Sequence, residues 1–205
     1  MKKFLIIILI VIAYSCEKKS NELDNECTCL IHYNPSVQLV SKQDMDTIKY
    51  LLDKNKINYS DLQFFQYSDI GFRYIRSYQY VNNLKLFTDG CSFTINNSDS
   101  ILGIAGDRVT NIDLTNKPEL SPNKVREIFF KEIEKDAVYK NNILIIDSCV
   151  DIEFGYYNLN LHNVLIPKDY TTAWKVNPHN QEFPCTYIND LNGNVLDYFN
   201  GIYAK

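Results

Sequence analysis

The sequence has few of the residue patterns on which enzyme active sites are built. Its 205 residues include three histidines and seven glycines. His32, His162 and His179 stand apart from one another, without a His-Glu-x-x-His pattern or a pair four residues apart. The sequence also has no G-x-S-x-G turn and no glycine-rich phosphate loop. We therefore predict a protein that is not an enzyme and needs no cofactor, with its histidines in surface loops.

The chain also lacks a concentration of positive charge. Its 21 lysines and arginines are scattered along the sequence and are outnumbered by 25 acidic residues, which gives a net charge of −4. Nucleic-acid-binding proteins gather their basic residues on one face, so we expect no nucleic-acid partner. With 45% hydrophobic and 22% charged residues, the composition is that of a globular protein of one domain or two small ones.

The apolar run at the N-terminus is too short to span a bilayer. It extends from Phe4 to Ala13, whereas a transmembrane helix needs roughly 20 residues. Two lysines precede it and small residues follow it, which is the layout of a secretory signal peptide. The end of this segment, "AYSC", resembles the lipobox of bacterial lipoproteins at Ala13, Ser15 and Cys16, although Tyr14 is bulky for its place.

This resemblance implies a lipoprotein signal peptide over residues 1–15 and acylation of Cys16, with palmitate among the acyl chains. The acyl anchor would make a membrane one partner of the protein, in the bacterial cell envelope, at the outer membrane or cell surface rather than at the cytoplasmic membrane. An ordinary signal peptide, with Cys16 in a disulfide, is the alternative. The polar residues "EKKSNELDNE" that follow cannot pack, and we expect residues 16–35 to be a tether.

Five further cysteines predict structural disulfides in an oxidising compartment. They are Cys27, Cys29, Cys91, Cys149 and Cys185. We favour a bridge between Cys149 and Cys185, because both fall on strands of one predicted sheet, and the other pairings stay open. The cysteine spacing offers no ligand set for zinc, so we predict no metal site.

Two segments have the period of amphipathic helices. In "SKQDMDTIKYLLDKNKIN", Ser41 and Asp44 approximate a capping box. In "ELSPNKVREIFFKEIEKD", Ser121 is the predicted N-cap and Pro122 the first helical residue. The side chains predicted to be buried are Met45, Ile48, Leu51 and Leu52 in the first helix and Val125, Ile128, Phe129 and Ile133 in the second.

The segments around these helices alternate between apolar and polar residues, as strands do. We predict turns at 68–69, 82–83, 89–90 and 96–99, and a terminal hairpin closed by Asn192-Gly193. Two successive blocks of one helix and an antiparallel sheet predict an α+β fold, made of two consecutive helix-plus-antiparallel-sheet (cystatin-like) units.

Two of the predicted strands have an unusual second face. In "FRYIRSYQY", one face is aromatic and includes Arg76; its aromatic members are Phe72, Tyr74, Tyr78 and Tyr80. We expect a helix to cover this face, and binding of a sugar or peptide is the alternative. In "NILIIDSCVDIEF", the face opposite the apolar residues is predicted to be solvated, and a cation site is the alternative; its members are Asp147, Cys149, Asp151 and Glu153.

The first block resembles the fungalysin/thermolysin propeptide (FTP) domain. The stretch "RSYQYVNNLKLFTDG" is similar to the family motif R-F-Q-Q-Y-x-N-G-x-P-V-F-G-G, with matches at Arg76, Gln79, Tyr80, Asn82 and Phe87. Asn83 replaces the family's glycine and Lys85 its proline. The stretches "SDSILGIAGDRV" and "KPELSPNKV" resemble the parts that follow in the family, with matches at Gly106, Pro118, Leu120 and Ser121.

The second block resembles a PepSY domain, the other half of the same propeptides. "TAWKV" is similar to L-A-W-x-V, and "YINDLNGNVLD" is similar to Y-V-D-A-x-T-G-E-V-L; the matches include Trp174 and Gly193, and Asn189 stands where the family has aspartate. The resemblance implies an FTP-like unit over residues 36–115 and a PepSY-like unit over residues 116–205.

Propeptides of this kind chaperone and transiently inhibit the metallopeptidase to which they are fused. Here the chain stops after the last hairpin, so the resemblance implies a stand-alone, non-catalytic, lipid-anchored module. It would bind an extracytoplasmic partner and inhibit or chaperone a metallopeptidase in trans, and "FNGIYAK" could lie in the partner's cleft.

Two other hypotheses remain open. The first is an envelope binding or scaffold lipoprotein that recognises a peptide, a glycan or a surface-complex subunit through Tyr156, Tyr157 and Tyr170. The second, which we favour least, is a thiol-dependent enzyme that uses Cys27 and Cys29.

Overall fold

A computed structural model of the chain describes residues 28–139, 149–161, 163 and 165–202. The predicted signal peptide, the acylation site Cys16, and Cys27 and His162 lie outside these residues. So do Asp147 of the predicted acidic face and residues 203–205 at the end of the segment predicted to enter a partner's cleft. Within the described ranges, no helix is long and apolar enough to cross a membrane.

The described residues form nine strands and two helices. In chain order these are β1 (Thr28–Ile31), α1 (Lys42–Lys54), β2 (Leu62–Ile70), β3 (Phe72–Val81), β4 (Leu84–Ile95), β5 (Ile101–Ala105), α2 (Pro122–Ile133), β6 (Val150–Asn158), β7 (Tyr170–Pro178), β8 (Cys185–Asn189) and β9 (Val195–Phe199).

All nine strands belong to one mixed sheet. Its order is β2-β3-β4-β6-β7-β8-β9, while β5 pairs with β4 and β1 pairs with β6. About 40% of the described residues are in strands and about 15% are in helices. The predicted α+β class of two consecutive helix-plus-antiparallel-sheet units is therefore wrong, and the fold is dominated by a single large sheet.

A short parallel contact between β4 and β6 is the reason for this difference. Lys85 lies opposite Gly155 and Leu86 lies opposite Tyr156, so the antiparallel strands on either side become one sheet. A side chain at position 155 would not fit, because its Cβ would lie 2.5 Å from the Lys85 carbonyl oxygen and 2.7 Å from the Phe87 ring. Glycine is therefore required where the two strands meet.

The two predicted helices are confirmed, with their N-caps. The Ser41 hydroxyl accepts the Asp44 N–H at 3.1 Å, and the Ser121 hydroxyl accepts the Lys124 N–H at 3.3 Å. Pro122 occupies the first turn of α2, where its missing N–H costs nothing. The residues of the predicted stripes that are fully buried are Ile48, Leu51, Leu52, Val125, Phe129 and Ile133.

Both helices lie on the same face of the sheet, which we call the helix face. Ile75 of β3 packs against α1, and Val81 of the same strand belongs to a central cluster with Leu86 and Tyr156. Ile152 of β6 packs against α2, and Tyr156 lies four residues further along that strand. Side chains an even number of residues apart share one side of a strand, so the three clusters form one continuous apolar layer.

The predicted turns are confirmed in part. Asn82 and Asn83 both have positive φ, as a two-residue hairpin turn requires, and a second turn at 96–99 joins β4 to β5. Residues 68–69 lie within β2 and residues 89–90 lie within β4, so those two predictions are wrong. The β2–β3 turn is made by Gly71, whose φ of 77° favours glycine.

The terminal hairpin is confirmed, but its turn is longer than the Asn-Gly pair suggests. Strands β8 and β9 pair antiparallel and are joined by residues 190–194. Gly193 has a φ of 73°, and its N–H donates to the Asn189 carbonyl oxygen at 2.9 Å. Asn189 N–H in turn donates to the Asn194 carbonyl oxygen at 2.8 Å.

Part of the predicted tether over residues 16–35 is a strand. Thr28–Ile31 pairs in parallel with β6, with Thr28 opposite Val150 and Ile31 opposite Glu153. The polar stretch that suggested a tether ends before this strand, and a β-branched and apolar run takes its place.

A buried carboxylate ties the segment before α2 to the sheet. Asp190 is fully buried and accepts the indole N–H of Trp174 at 2.8 Å. It also accepts the backbone N–H groups of Glu119 at 2.9 Å and of Leu120 at 3.0 Å, just before the N-cap of α2. The charge is thereby satisfied by donors from two distant parts of the chain.

We predict that Asp190→Asn lowers the free energy of unfolding by about 2–4 kcal/mol. The carboxylate only accepts hydrogen bonds, whereas the amide would turn an NH₂ group towards backbone or indole N–H groups that need an acceptor. Urea unfolding at neutral pH measures the change. Asp113→Asn, at an exposed position, is the control and should change stability by less than about 0.5 kcal/mol. Equal stability of the two variants would contradict this role of Asp190.

Candidate functional site

An exposed strand edge is a candidate binding surface in the described part of the chain. Strand β5 pairs with β4, with Ala105 opposite Ser92 at one end and Ile101 opposite Ile95 at the other. No described strand pairs with the other edge of β5. Leu102 and Ile104 on this strand are 57% and 55% exposed. The Ile101 N–H at the start of β5 already donates to Asn55 Oδ1 at 3.3 Å. Beyond it, a strand edge with no neighbouring strand and with apolar side chains is a template for a further strand.

A groove of about 610 Å³ runs beside this edge. Its apolar lining comes from Ile57, Phe93 and Ile104. Phe93 lies directly opposite Ile104 in the β4–β5 register, so both side chains are on the helix face. The rim carries Lys56 and Arg108 and also the acidic Asp107, and Arg108 is already paired with Asp61. The groove can thus accept apolar side chains, and Lys56, which has no ion-pair partner among the described residues, can meet a nearby carboxylate.

The outer wall of the groove is held in place by hydrogen bonds. The Arg108 guanidinium forms an ion pair with Asp61 and also donates to the Asn58 carbonyl oxygen. The fully buried Gln79 accepts the Val109 N–H at 3.1 Å and donates to the Val109 carbonyl oxygen at 2.7 Å. The segment that carries Arg108 is therefore fixed to β3 on one side and to the α1–β2 connection on the other.

Glycine is needed where this segment leaves β5. Gly106 has a φ of 90°, and a Cβ there would collide with the Gly90 carbonyl oxygen on β4. Gly106 and Gln79 are both positions at which the sequence resembles the FTP motif. In the structure, both shape the wall of the groove.

The aromatic face of β3 lies opposite the helices, so the prediction that a helix covers it is wrong. Tyr78 is three residues from the helix-face residue Ile75, an odd spacing, so it lies on the other side of β3. Its ring stacks on Phe65 with ring centroids 4.3 Å apart. Tyr80 stacks on Tyr33 at 3.8 Å. Rings from β2 and from the segment after β1 therefore cover Tyr78 and Tyr80, whereas Phe72 at the start of β3 is 57% exposed.

The described acidic residues of this face, Asp151 and Glu153 on β6, differ from the prediction because both side chains are largely buried. The side chain of Glu153 is 14% exposed and lies 3.5 Å from the Lys85 ammonium group. That ammonium group stands 3.7 Å from the centroid of the Tyr78 ring. Burial lowers the pKa of Lys85, and Glu153 opposes that shift.

The three tyrosines proposed as contact residues are not an exposed patch. Tyr156 is fully buried in the central cluster on the helix face, and Tyr157 on the opposite face is also buried. Tyr170 is half-buried and donates its hydroxyl to Asp89 at 3.0 Å. Their predicted role in binding is therefore not supported by exposure.

The structure corrects the predicted disulfide pairs. Cys91 and Cys185 are free, buried thiols, so the bridge between Cys149 and Cys185 is wrong. Cys149 is disulfide-bonded. Burial raises the pKa of Cys91 and of Cys185, which makes both poor nucleophiles. Cys27 lies outside the described residues.

The fold brings three residues together that the sequence did not connect. Cys29 lies opposite Asp151 in the β1–β6 register, and His179 lies just beyond β7 within hydrogen-bond distance of the same aspartate. His32 is exposed, as expected of a surface residue. One sequence pattern had indicated this place: apolar and polar residues alternate along β6, which put Asp151 on an acidic face for which a cation site was the alternative prediction.

The remaining motif residues have structural contacts. Arg76 is exposed and lies 5.7 Å from the Phe65 ring, and Tyr80 donates its hydroxyl to Gln63 at 2.8 Å. Asn82 donates its amide to the Ile112 carbonyl oxygen at 3.1 Å. Trp174 is held by Asp190 in the core beneath α2, and Gly193 closes the last hairpin.

The sequence matches no protein-family model and no curated protein. The FTP and PepSY resemblance and the unit boundaries 36–115 and 116–205 therefore stay predictions.

We predict that Gln79→Leu detaches the wall of the groove, because it leaves the N–H and carbonyl groups of Val109 without their partner. The cost should be about 2–3 kcal/mol in the free energy of unfolding. Amide exchange at Val109 should also accelerate. Gln66→Leu, on the neighbouring strand and exposed, is the matched control. Slow exchange at Val109 in the Gln79→Leu protein would show that the clamp does not hold the wall.

We also predict that Tyr157 makes stability fall at high pH. Burial, followed by the nearby Asp197 carboxylate, raises the pKa of Tyr157 to about 12. The phenol ionises near pH 10 in the unfolded chain, so between about pH 10 and pH 12 the unfolded state binds fewer protons than the folded state. The free energy of unfolding therefore decreases as pH rises through this window.

Urea unfolding at several pH values above about 9 measures this slope. The slope should be shallower in Tyr157→Phe, which has no phenol to ionise, and unchanged in Tyr50→Phe, whose ring is exposed. The same slope in wild type and in Tyr157→Phe would show that Tyr157 does not contribute.

Proposed function

We propose that this chain is a non-catalytic, lipid-anchored protein of the bacterial cell envelope that binds an extended segment of another envelope protein along the edge of β5. The observation that carries the proposal is the exposed edge itself, with Leu102 and Ile104 beside the 610 Å³ groove. Strand addition of this kind takes its affinity from main-chain hydrogen bonds and its specificity from pockets for alternate side chains.

The surroundings of β5 favour a protein segment of a particular composition. A strand added to β5 continues the pleat, so every second side chain points to the helix face. One such side chain would enter the groove beside Phe93 and Ile104, where an apolar group fits. A carboxylate on the bound segment could pair with Lys56, which is exposed on the rim.

The fixed wall of the groove supports binding of this kind. Loops that are ordered before binding pay less conformational entropy when they bind. The contacts of Arg108 with Asp61 and of Gln79 with Val109 already order the wall in the protein alone. The surface is therefore shaped before a partner arrives.

The class of partner follows from the predicted location. The lipobox at Cys16 would hold the protein at an envelope membrane, where other exported proteins are within reach. A metallopeptidase, inhibited or chaperoned in trans, is the partner that the FTP and PepSY resemblance implies. A glycan receptor finds less support, because Tyr156, Tyr157 and Tyr170 do not form an exposed patch.

A double substitution on the strand edge tests the proposal. Lysine on an exposed edge opposes strand addition, so Leu102→Lys with Ile104→Lys should weaken binding of the co-purified envelope partner at least about tenfold. Both side chains are more than half exposed, so the fold should be retained. Leu165→Lys, at a 91% exposed apolar position in the β6–β7 connection, is the control and should bind as wild type does.

Amide exchange on the complex locates the contact. Binding should slow exchange in Ile101–Ala105 and in the Arg108 segment and leave the terminal turn at residues 190–194 unchanged. If the partner is a metallopeptidase, its hydrolysis of a peptide substrate should be inhibited by wild type and by Leu165→Lys only. Wild-type affinity in the double variant, or protection elsewhere with none at β5, would contradict the proposal.

A further inference from the structure

Three potential metal ligands meet where β1 joins β6. They are Cys29 on β1, Asp151 opposite it on β6, and His179 just after β7. One sulfur, one carboxylate oxygen and one imidazole nitrogen from these residues lie within 4.8 Å of one another. None of the three lines the groove beside β5, so the cluster is separate from the proposed binding edge.

The position of His179 is fixed by contacts with β6 and with the residue just before that strand. Its backbone N–H donates to the Cys149 carbonyl oxygen at 2.7 Å. Its Nδ1 lies 2.7 Å from one carboxylate oxygen of Asp151, and the other oxygen accepts the Asn180 N–H at 3.1 Å. The imidazole and the carboxylate are therefore arranged before any ion binds.

We propose that Cys29, Asp151 and His179 form a binding site for a thiophilic divalent metal ion of the zinc class. A sulfur, an imidazole nitrogen and a carboxylate oxygen together are a ligand set that zinc binds and that magnesium and calcium do not prefer. Three protein ligands leave a fourth tetrahedral position for water or a small ligand.

The coordination needs only small movements. Zinc with bonds of roughly 2.0–2.3 Å places its ligand atoms roughly 3.3–3.7 Å apart. The Asp151 oxygen and His179 Nδ1 would separate by about half an ångström from their present 2.7 Å, as the ion replaces the proton between them. The remaining pairs would close from separations of at most 4.8 Å, and the Cys29 thiol would release its proton to solvent as the sulfur–zinc bond forms.

A small cavity gives the ion access and room for the fourth position. Its volume is about 310 Å³, and Asp151 and His179 line it together with Glu182. The lining does not include Cys29, which is 4% exposed. A substrate in the cavity would therefore not reach the sulfur, which argues against a cysteine nucleophile. An ion held between the cavity and the sulfur would contact all three residues.

The negative charge and the partial burial of Asp151 favour binding of a cation among these three residues. The Asp151 side chain is 13% exposed and the His179 side chain is 31% exposed, so water screens the carboxylate only in part. No lysine or arginine within ion-pair distance of Asp151 is found among the described residues. A divalent ion would supply the missing positive charge.

Metal titration of the full chain, carrying no histidine tag, tests the site. Zinc chloride in competition with a chromophoric chelator measures stoichiometry and affinity, and cobalt(II) reports ligand type through its visible and thiolate charge-transfer bands. We expect one zinc per chain and a thiolate-to-cobalt band. We also expect a rise in Tm of about 5–10 °C at a free zinc concentration of roughly 100 Kd.

Two single variants assign the ligands. Cys29→Ser should abolish the thiolate-to-cobalt band, and His179→Gln should weaken zinc binding at least about 100-fold. His179 is partly exposed in a connection, so His179→Gln keeps the test valid if Cys29→Ser fails to fold. His32→Gln, at an exposed histidine, and Cys91→Ser are the controls and should bind zinc as wild type does.

Absence of zinc binding in wild type would overturn the proposal, because the cluster would then be only a hydrogen-bonded turn. Wild-type affinity in His179→Gln would overturn it equally, since the zinc would be bound elsewhere in the chain. Loss of zinc binding in His179→Gln, together with normal partner binding at β5, would support the zinc site and show that it is separate from the proposed function.

Discussion

The parallel contact between β4 and β6 is the constraint on which the rest of the structure depends. Only two residue pairs form it, Lys85 with Gly155 and Leu86 with Tyr156, yet they join all nine strands into one sheet. The contact needs a glycine on β6 because the Lys85 carbonyl oxygen and the Phe87 ring leave no space for a Cβ. On the helix face, Leu86 and Tyr156 link the core beneath α1 to the core beneath α2.

The shortness of this contact also explains where the two candidate sites lie. Because β4 and β6 overlap over so few residues, each strand leaves part of an edge uncovered. Strand β5 pairs with the far end of β4, and its own outer edge carries Leu102, Ile104 and the groove. Strand β1 pairs with the near end of β6, and this brings Cys29 to Asp151 and His179. Both sites thus depend on strands that fill the ends of the junction.

Helix caps and some turns could be predicted from the sequence, whereas the turns predicted at 68–69 and 89–90 were wrong and long-range pairing could not be predicted. The capping residues Ser41 and Ser121 and the Asn82–Asn83 turn act within a few residues, so their patterns are readable. The register between β1 and β6 joins segments more than a hundred residues apart, and no local pattern encodes it. The aromatic face of β3 shows the same limit, since alternation separates two faces without indicating which one meets a helix.

A sheet joined through the β4–β6 contact should unfold as one unit, and urea unfolding with two local probes tests this most directly. Fluorescence of Trp174, the single tryptophan, reports on β7, and pulsed amide exchange reports on β2 and β3 at the other end of the sheet. If the β4–β6 contact couples the ends, both probes give the same midpoint and the same slope. Two separate transitions would contradict the account, because the strands on either side of the junction would then be independent.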